Sequence, residues 1–121
     1  MTARSEAAKA APIRALNDAL RIGREPIGAL IMNGSLVMTQ GVAMRGEPFI
    51  SHALAAVAAF ADFNDDNDAW QEHDMAFLDV EGERIFFKVD YFDPTMRFLS
   101  SDPGNPEITR RVLTVGLAAD Y

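Results

Sequence analysis

The sequence has no cysteine. Disulfides, thiolate metal ligands and a cysteine nucleophile are thereby excluded. Histidine is scarce, with only His52 and His73, and Trp70 is the single tryptophan. No apolar run approaches the ~20 residues needed to cross a bilayer, so no membrane partner is expected. No glycine-rich phosphate loop is present: Gly41 and Gly46 flank Val42-Ala43-Met44-Arg45 without a P-loop lysine. Ser35, Ser51, Ser100 and Ser101 lie outside any G-x-S-x-G context, which argues against a serine hydrolase. The start, Met1-Thr2-Ala3-Arg4-Ser5-Glu6, lacks the apolar core of a signal peptide, and a cytoplasmic location is expected. Positive charge is also in short supply. Eleven Lys and Arg stand against 18 Asp and Glu, a net charge of −7. A duplex-binding domain usually carries a basic footprint, so direct nucleic-acid binding is not expected.

What is present fits one folded domain. The chain has 121 residues, 49% hydrophobic and 24% charged, which are globular values. The charge is unevenly placed. Residues 62–93 hold eleven acidic and two basic residues, a local −9, and the remainder sums to +2. The body is therefore nearly neutral and carries one acidic segment.

The Ala-rich stretch 1–11 lacks large apolar residues and reads as a flexible N-terminal extension ahead of a single domain, 12–121. Pro12 suits a first helical position, and Ile13, Leu16 and Leu20 recur at helical spacing, which predicts an amphipathic helix over 12–22. Arg14 and Asp18 then lie one turn apart on its surface. Asn33-Gly34 between apolar runs predicts a hairpin of 28–32 with 35–39. Pro48 opens a second helix, 48–62, with Glu47 at its positive dipole end. Ile50, Leu54, Val57 and Ala61 give it one apolar face, widened by Phe49, Ala53, Ala56 and Phe60.

A second hairpin follows the acidic loop 63–72. With Glu81 and Gly82 as the turn, Val80 pairs with Glu83, Asp79 with Arg84, Leu78 with Ile85 and Phe77 with Phe86. The face bearing Leu78, Ile85, Phe87 and Val89 should meet the helices. Asn105-Pro106 reads as the start of a last helix, 106–119, with Ile108, Val112, Val115, Leu113 and Leu117 as its stripe. The expected fold is two-layer α+β in the order α-ββ-α-ββ-α, an antiparallel sheet of two hairpins with helices on one face.

Three groups of residues could carry chemistry. Asp62, Asn64, Asp66 and Asp68 stand at positions one, three, five and seven of a partial calcium loop, with Asn67 in place of the sixth-position glycine and His73 in place of the twelfth-position glutamate. The same carboxylates crowd a helix C-terminus, which solvent, a cation or a basic partner would relieve. Continuing the hairpin register sets Asp74 opposite Val89 and His73 opposite Asp90, with Lys88 on the same face. That spot offers acid–base candidates in His73, Asp90 and Lys88. It offers metal-ligand candidates in His73, Asp74 and Asp90, with His52 or Asp93 as a further ligand. A polar hairpin end with His73 and Asp90 simply hydrogen-bonded is the plainer alternative. Arg110-Arg111 reads as a solvated face or as an answer to the acidic loop. Trp70, among carboxylates, is either tucked against the body or offered to a partner, where tryptophan is favoured as an anchor.

Several short motifs taken together resemble the bacterial family known as domain of unknown function 3768. They are Leu16-Asn17-Asp18, Val37-Met38-Thr39, Gly41-Val42, Asn67-Asp68, Glu72-His73-Asp74, Lys88-Val89-Asp90-Tyr91, Ser101-Asp102-Pro103 and Thr109-Arg110-Arg111-Val112-Leu113-Thr114, spanning about 12–121. The resemblance implies a small protein of plasmids and other mobile elements, found near anti-restriction and partition-type genes, with no established activity. It directs attention to His73, Asp74, Lys88, Asp90 and Tyr91. This sequence departs from the family pattern in its apolar 25–32 segment and in Met75-Ala76.

The expected function is a non-enzymatic interaction module, without a cofactor, that binds a basic protein partner through Asp65, Asp66, Asp68, Trp70 and Glu72. An anti-defence protein imitating DNA is its sharpest form. The alternative is a metal-dependent enzyme or metal-binding domain using His73, Asp74 and Asp90. A homodimer is a third expectation.

Overall fold

The structure is a computed structural model that describes residues 3–23 and 34–121, with side chains from residue 9 onward. Helix α1 spans Ala3–Ile22, strand β1 Gly34–Met38, helix α2 Gln40–Arg45 and helix α3 Phe49–Ala59. Strands β2 (Met75–Val80), β3 (Glu83–Phe92) and β4 (Arg110–Leu117) follow, and a 3₁₀ turn closes the chain at Ala118–Asp120. The four strands form one mixed sheet in the order β1-β4-β3-β2.

The β2–β3 hairpin has the register read from the sequence, from Val80 opposite Glu83 to Phe77 opposite Phe86. Glu81 and Gly82 both take positive φ, +52° and +79°, which a two-residue turn matched to strand twist requires. Ala76, Val80, Ile85, Phe87 and Val89 turn one sheet face toward the helices, joined by Leu113 and Val115 of β4. Val42 of α2 and Phe49, Ala53 and Val57 of α3 complete this core. Burying each large apolar side chain there contributes roughly 1.5–3 kcal/mol. On the opposite face Phe86 is covered by the rings of Phe77 and Tyr121, at 6.2 and 5.1 Å.

Three expectations are corrected. The last element is strand β4, not a helix over 106–119. Ile108, Val112 and Val115 fit a helical stripe, but Arg111, Leu113 and Val115 are buried at a period of two, and Val112, Thr114 and Val115 are β-branched. Asn105 caps a turn instead, its side chain accepting from Glu107 N at 3.0 Å. Second, the sheet is not made of two hairpins. The arm 28–32 lies outside the described residues, and β1 pairs in parallel with β4, Gly34 with Arg111 through Met38 with Val115. Third, α1 begins at Ala3, so Pro12 lies inside it. Alanine has the highest helix propensity, so the Ala-rich stretch needs no apolar stripe to be helical.

Smaller differences concern the other helices. α3 ends at Ala59, short of residue 62, with Pro48 as its N-cap. Glu47 does sit at its start, accepting from Ser51 N at 2.7 Å and Ser51 Oγ at 2.6 Å, and these bonds hold its pKa below the ordinary value. The short helix α2 was not foreseen. It buries a single residue, Val42, too little for a periodic signal.

Candidate functional site

The acidic loop between α3 and β2 folds on itself through its two asparagines. Asn64 Oδ1 accepts from Asp66 N and Asn67 N, and Asn67 Oδ1 accepts from Asn64 N. Such side-chain to backbone bonds close turns locally. Asp68 is buried at 7% exposure, and its Oδ1 accepts from His73 N at 3.0 Å. Gln71 and His73 take positive φ, +59° and +54°, which side-chain-bearing residues hold only where their surroundings enforce it.

α1 does the enforcing. Arg14 donates to Gln71 O at 2.9 Å and Asn17 Nδ2 to Glu72 O at 3.0 Å. The His73 ring stacks on Phe63 at 3.8 Å, with Nδ1 2.9 Å from Asp18 Oδ1 and Nε2 3.5 Å from Asp68 Oδ2. Both ring nitrogens face carboxylates, so His73 bridges α1 and the loop. Asp18 also accepts from Arg21 Nη2 at 3.0 Å, and Arg21 Nη1 donates to Val57 O, Ala58 O and Phe60 O. Arg21 thus satisfies the open carbonyls at the C-terminus of α3, the favoured place for a cation.

A second polar group lies beside the first. Asn17 is fully buried. Its Nδ2 reaches Tyr91 Oη at 2.8 Å, and its Oδ1 accepts from Arg111 Nε at 2.9 Å. Tyr91 Oη donates to Glu72 Oε1 at 2.7 Å, and burial with that carboxylate pushes the phenol pKa up. Arg111 also donates to Pro103 O and lies 5.1 Å over the Tyr91 ring, and burial lowers its pKa. Asp74 is half-buried, and burial followed by repulsion from Glu72 raises its pKa. Buried polar groups of this kind are stable only when mutually satisfied.

The residues singled out in the sequence are divided by this geometry. Asp74 O accepts from Val89 N at 2.8 Å, continuing the hairpin as expected. His73, by contrast, turns to Asp18 and Asp68 and not to Asp90, because its positive φ takes it out of the strand. Asp90 pairs with Lys88 Nζ at 3.0 Å. His52 engages Glu81, and Asp93 caps a turn by accepting from Thr95 N, Thr95 Oγ1 and Arg97 N, which lowers its pKa. Among the described residues no group of three or more His, Asp or Glu is placed to hold a metal. Asp65, Asp66 and Trp70 face outward, and Trp70 is 69% exposed. Asp68 and Glu72 are drawn inward.

Asn17, Asp18, Arg21 and Arg111 were not read as site residues. Asn17 and Asp18 stand in one of the motifs of the family resemblance, but their partners outside α1 are 55 to 94 positions away in sequence. Arg111 was read as a surface residue or as an answer to the acidic loop. It is buried and reaches that region through Asn17.

Two clefts flank the segment 70–73. One, of about 330 Å³, is polar and lies among Arg14, Asn64, Asp65, Asp68, Gln71 and His73 over Phe63. The other, of about 300 Å³, is bounded by Lys9, Ala10, Ile13, Trp70, Glu72 and Pro103. It shares Lys9, Ile13 and Pro103 with a third cleft of about 390 Å³ that runs on past Pro12, Asp102 and Gly104.

Fold and site together define a small α+β protein in which a long helix is tied by buried polar contacts to an acidic loop and the end of a mixed sheet. The chain matches the model of the family described as Protein of unknown function (DUF3768) over residues 38–120, and it belongs to that family. This match is narrower than 12–121 and leaves α1 outside it. No curated protein and no solved structure matches the chain.

Proposed function

We propose that this protein is a non-enzymatic interaction module whose acidic loop binds a basic protein partner. The observation that carries this reading is Trp70, 69% exposed in the same loop as Asp65 and Asp66, whose carboxylates have no partner among the described residues. Large exposed aromatics beside unpaired charge suit recognition better than folding. The groups suited to acid–base work are occupied by one another: His73 by Asp18 and Asp68, Lys88 by Asp90, Tyr91 by Glu72 and Asn17. Among the described residues the metal reading has no donor set. No helix among the described residues is long and apolar enough to cross a membrane. In its sharpest form the partner is a cytoplasmic nucleic-acid-handling protein, and Asp65 and Asp66 take the place of DNA phosphates in an anti-defence role.

An arginine dodecamer titrated calorimetrically at two salt concentrations tests the reading. Binding should weaken steeply with salt and fall at least tenfold in Asp65→Lys/Asp66→Lys. Asp79→Lys/Glu81→Lys makes the same change in net charge at the far end of the hairpin and should bind nearly as wild type. Equal losses in the two double variants would reduce the effect to overall charge and overturn the proposal.

A further inference from the structure

We infer that the groove between α1 and the loops at 70–72 and 101–104 receives an extended basic segment of the partner, with an apolar side chain seated against Trp70 and Ile13. The inference rests on the interaction-module reading and specifies the form its partner takes. Two clefts of about 300 and 390 Å³ adjoin at Lys9, Ile13 and Pro103, and together they line the side of α1 as an elongated groove with two depressions. Their walls are largely apolar, from Ala10, Pro12, Ile13, Trp70 and Pro103. An elongated groove with one exposed aromatic suits an extended peptide, whose successive side chains occupy successive depressions.

Charge selects the occupant. Glu72 and Asp102 border the groove against one cation, Lys9. Glu72 gives only Oε1 to Tyr91, and the Asp102 carboxylate has no partner among the described residues. Across the segment 70–72 lies the polar cleft, where the Asp65 carboxylate is exposed, Arg14 is tied to Gln71 O and Asp68 is buried against His73. A segment lying beside Trp70 therefore passes carboxylates on both sides, and Arg or Lys flanking the apolar anchor is the matching chemistry. The groove is also rigid where it must be. Arg14 holds Gln71 O, Asn17 holds Glu72 O, and Arg111 holds Pro103 O. The walls are thus set before binding, which limits the ordering cost of association.

Three fluorescein-labelled dodecapeptides test this by anisotropy at physiological salt: alternating leucine and arginine, all arginine, and alternating leucine and glutamate. The leucine–arginine peptide should bind at least tenfold more tightly than all-arginine, and the glutamate peptide should not bind. Trp70→Ala and Ile13→Ser should each remove the leucine preference, and Asp65→Lys/Asp66→Lys should weaken both arginine peptides alike. Trp70 is exposed, so its replacement leaves folding intact. Equal affinity for the two arginine peptides, a preference that survives Trp70→Ala, or tight binding of the glutamate peptide overturns the groove assignment. With equal affinities and a loss in Asp65→Lys/Asp66→Lys, the interaction-module reading stands without the groove. If no arginine peptide binds, both fall.

Discussion

Asn17 shows how much one residue can hold. It is fully buried on a helix, an environment that normally selects Leu or Ala, and it contacts Glu72, Tyr91 and Arg111 at once. Asn17→Ala leaves the Arg111 Nε and the Tyr91 hydroxyl each short of a bond. The expected cost is about 3 kcal/mol, read from urea unfolding of the variant beside wild type. Asp74 works in the opposite sense. Burial and the nearby Glu72 raise its folded pKa above the unfolded value, so across the interval between the two the folded state keeps a proton that the unfolded state has lost. Its contribution to stability therefore declines as pH rises through that interval and is unfavourable above it. Asp74→Asn should melt higher than wild type at pH 7, and the advantage should vanish once the pH falls below the unfolded carboxylate range. A thermal-melt series in pH measures both.

Elements are where the sequence was most and least readable. The β2–β3 hairpin was legible to the residue, because Glu81-Gly82 sets the turn and the alternation of Leu78, Ile85, Phe87 and Val89 sets the face. β4 was not. Its spacing satisfies a helical template by chance, and the deciding facts, a central place between β1 and β3 and the burial of Arg111, are tertiary. Gly116 marks that place. A Cβ there would lie 2.5 Å from Thr39 Cγ2 and 2.6 Å from Phe86 Cε1. Gly116→Ala should destabilise by about 2 kcal/mol through overpacking, seen as a lower urea midpoint with an unchanged slope. The junction of α1 with α3 depends on Arg21. Arg21→Met keeps the bulk against Phe63 and Phe87 but leaves Ala58 O and Phe60 O unpaired and Val57 O with only the 3.4 Å bond from Phe60 N, and about 3 kcal/mol should be lost in denaturant titration. Here the helical stripe of Ile13, Leu16 and Leu20 was legible, whereas the polar stripe of Asn17 and Arg21 beneath it was not, since neither residue type announces burial.

For the whole molecule, the net charge of −7 divides into structural and exposed parts. The segment 62–93 carries −9. Within it Asp68, Glu72 and Asp90 are committed to His73, Tyr91 and Lys88, Asp79, Glu81 and Glu83 to Arg84, His52 and Arg45, and Asp93 to its own turn, which leaves Asp62, Asp65 and Asp66 as exposed charge in the loop that carries Trp70. The loop was legible as acidic, but which carboxylates turn inward depends on α1, whose partners in the loop lie more than fifty positions away. On the proposed reading, the polar contacts around Asn17 and Tyr91 are scaffold and the outer side of the loop is the working surface. The most direct measurement sets melting temperature beside arginine-dodecamer affinity for Tyr91→Phe and for Asp65→Lys/Asp66→Lys. The prediction is a clean exchange: Tyr91→Phe melts lower and binds as wild type, and the double variant melts no lower and loses binding at least tenfold. A Tyr91→Phe protein that keeps its melting temperature and loses binding, alongside a double variant that binds normally, would contradict it.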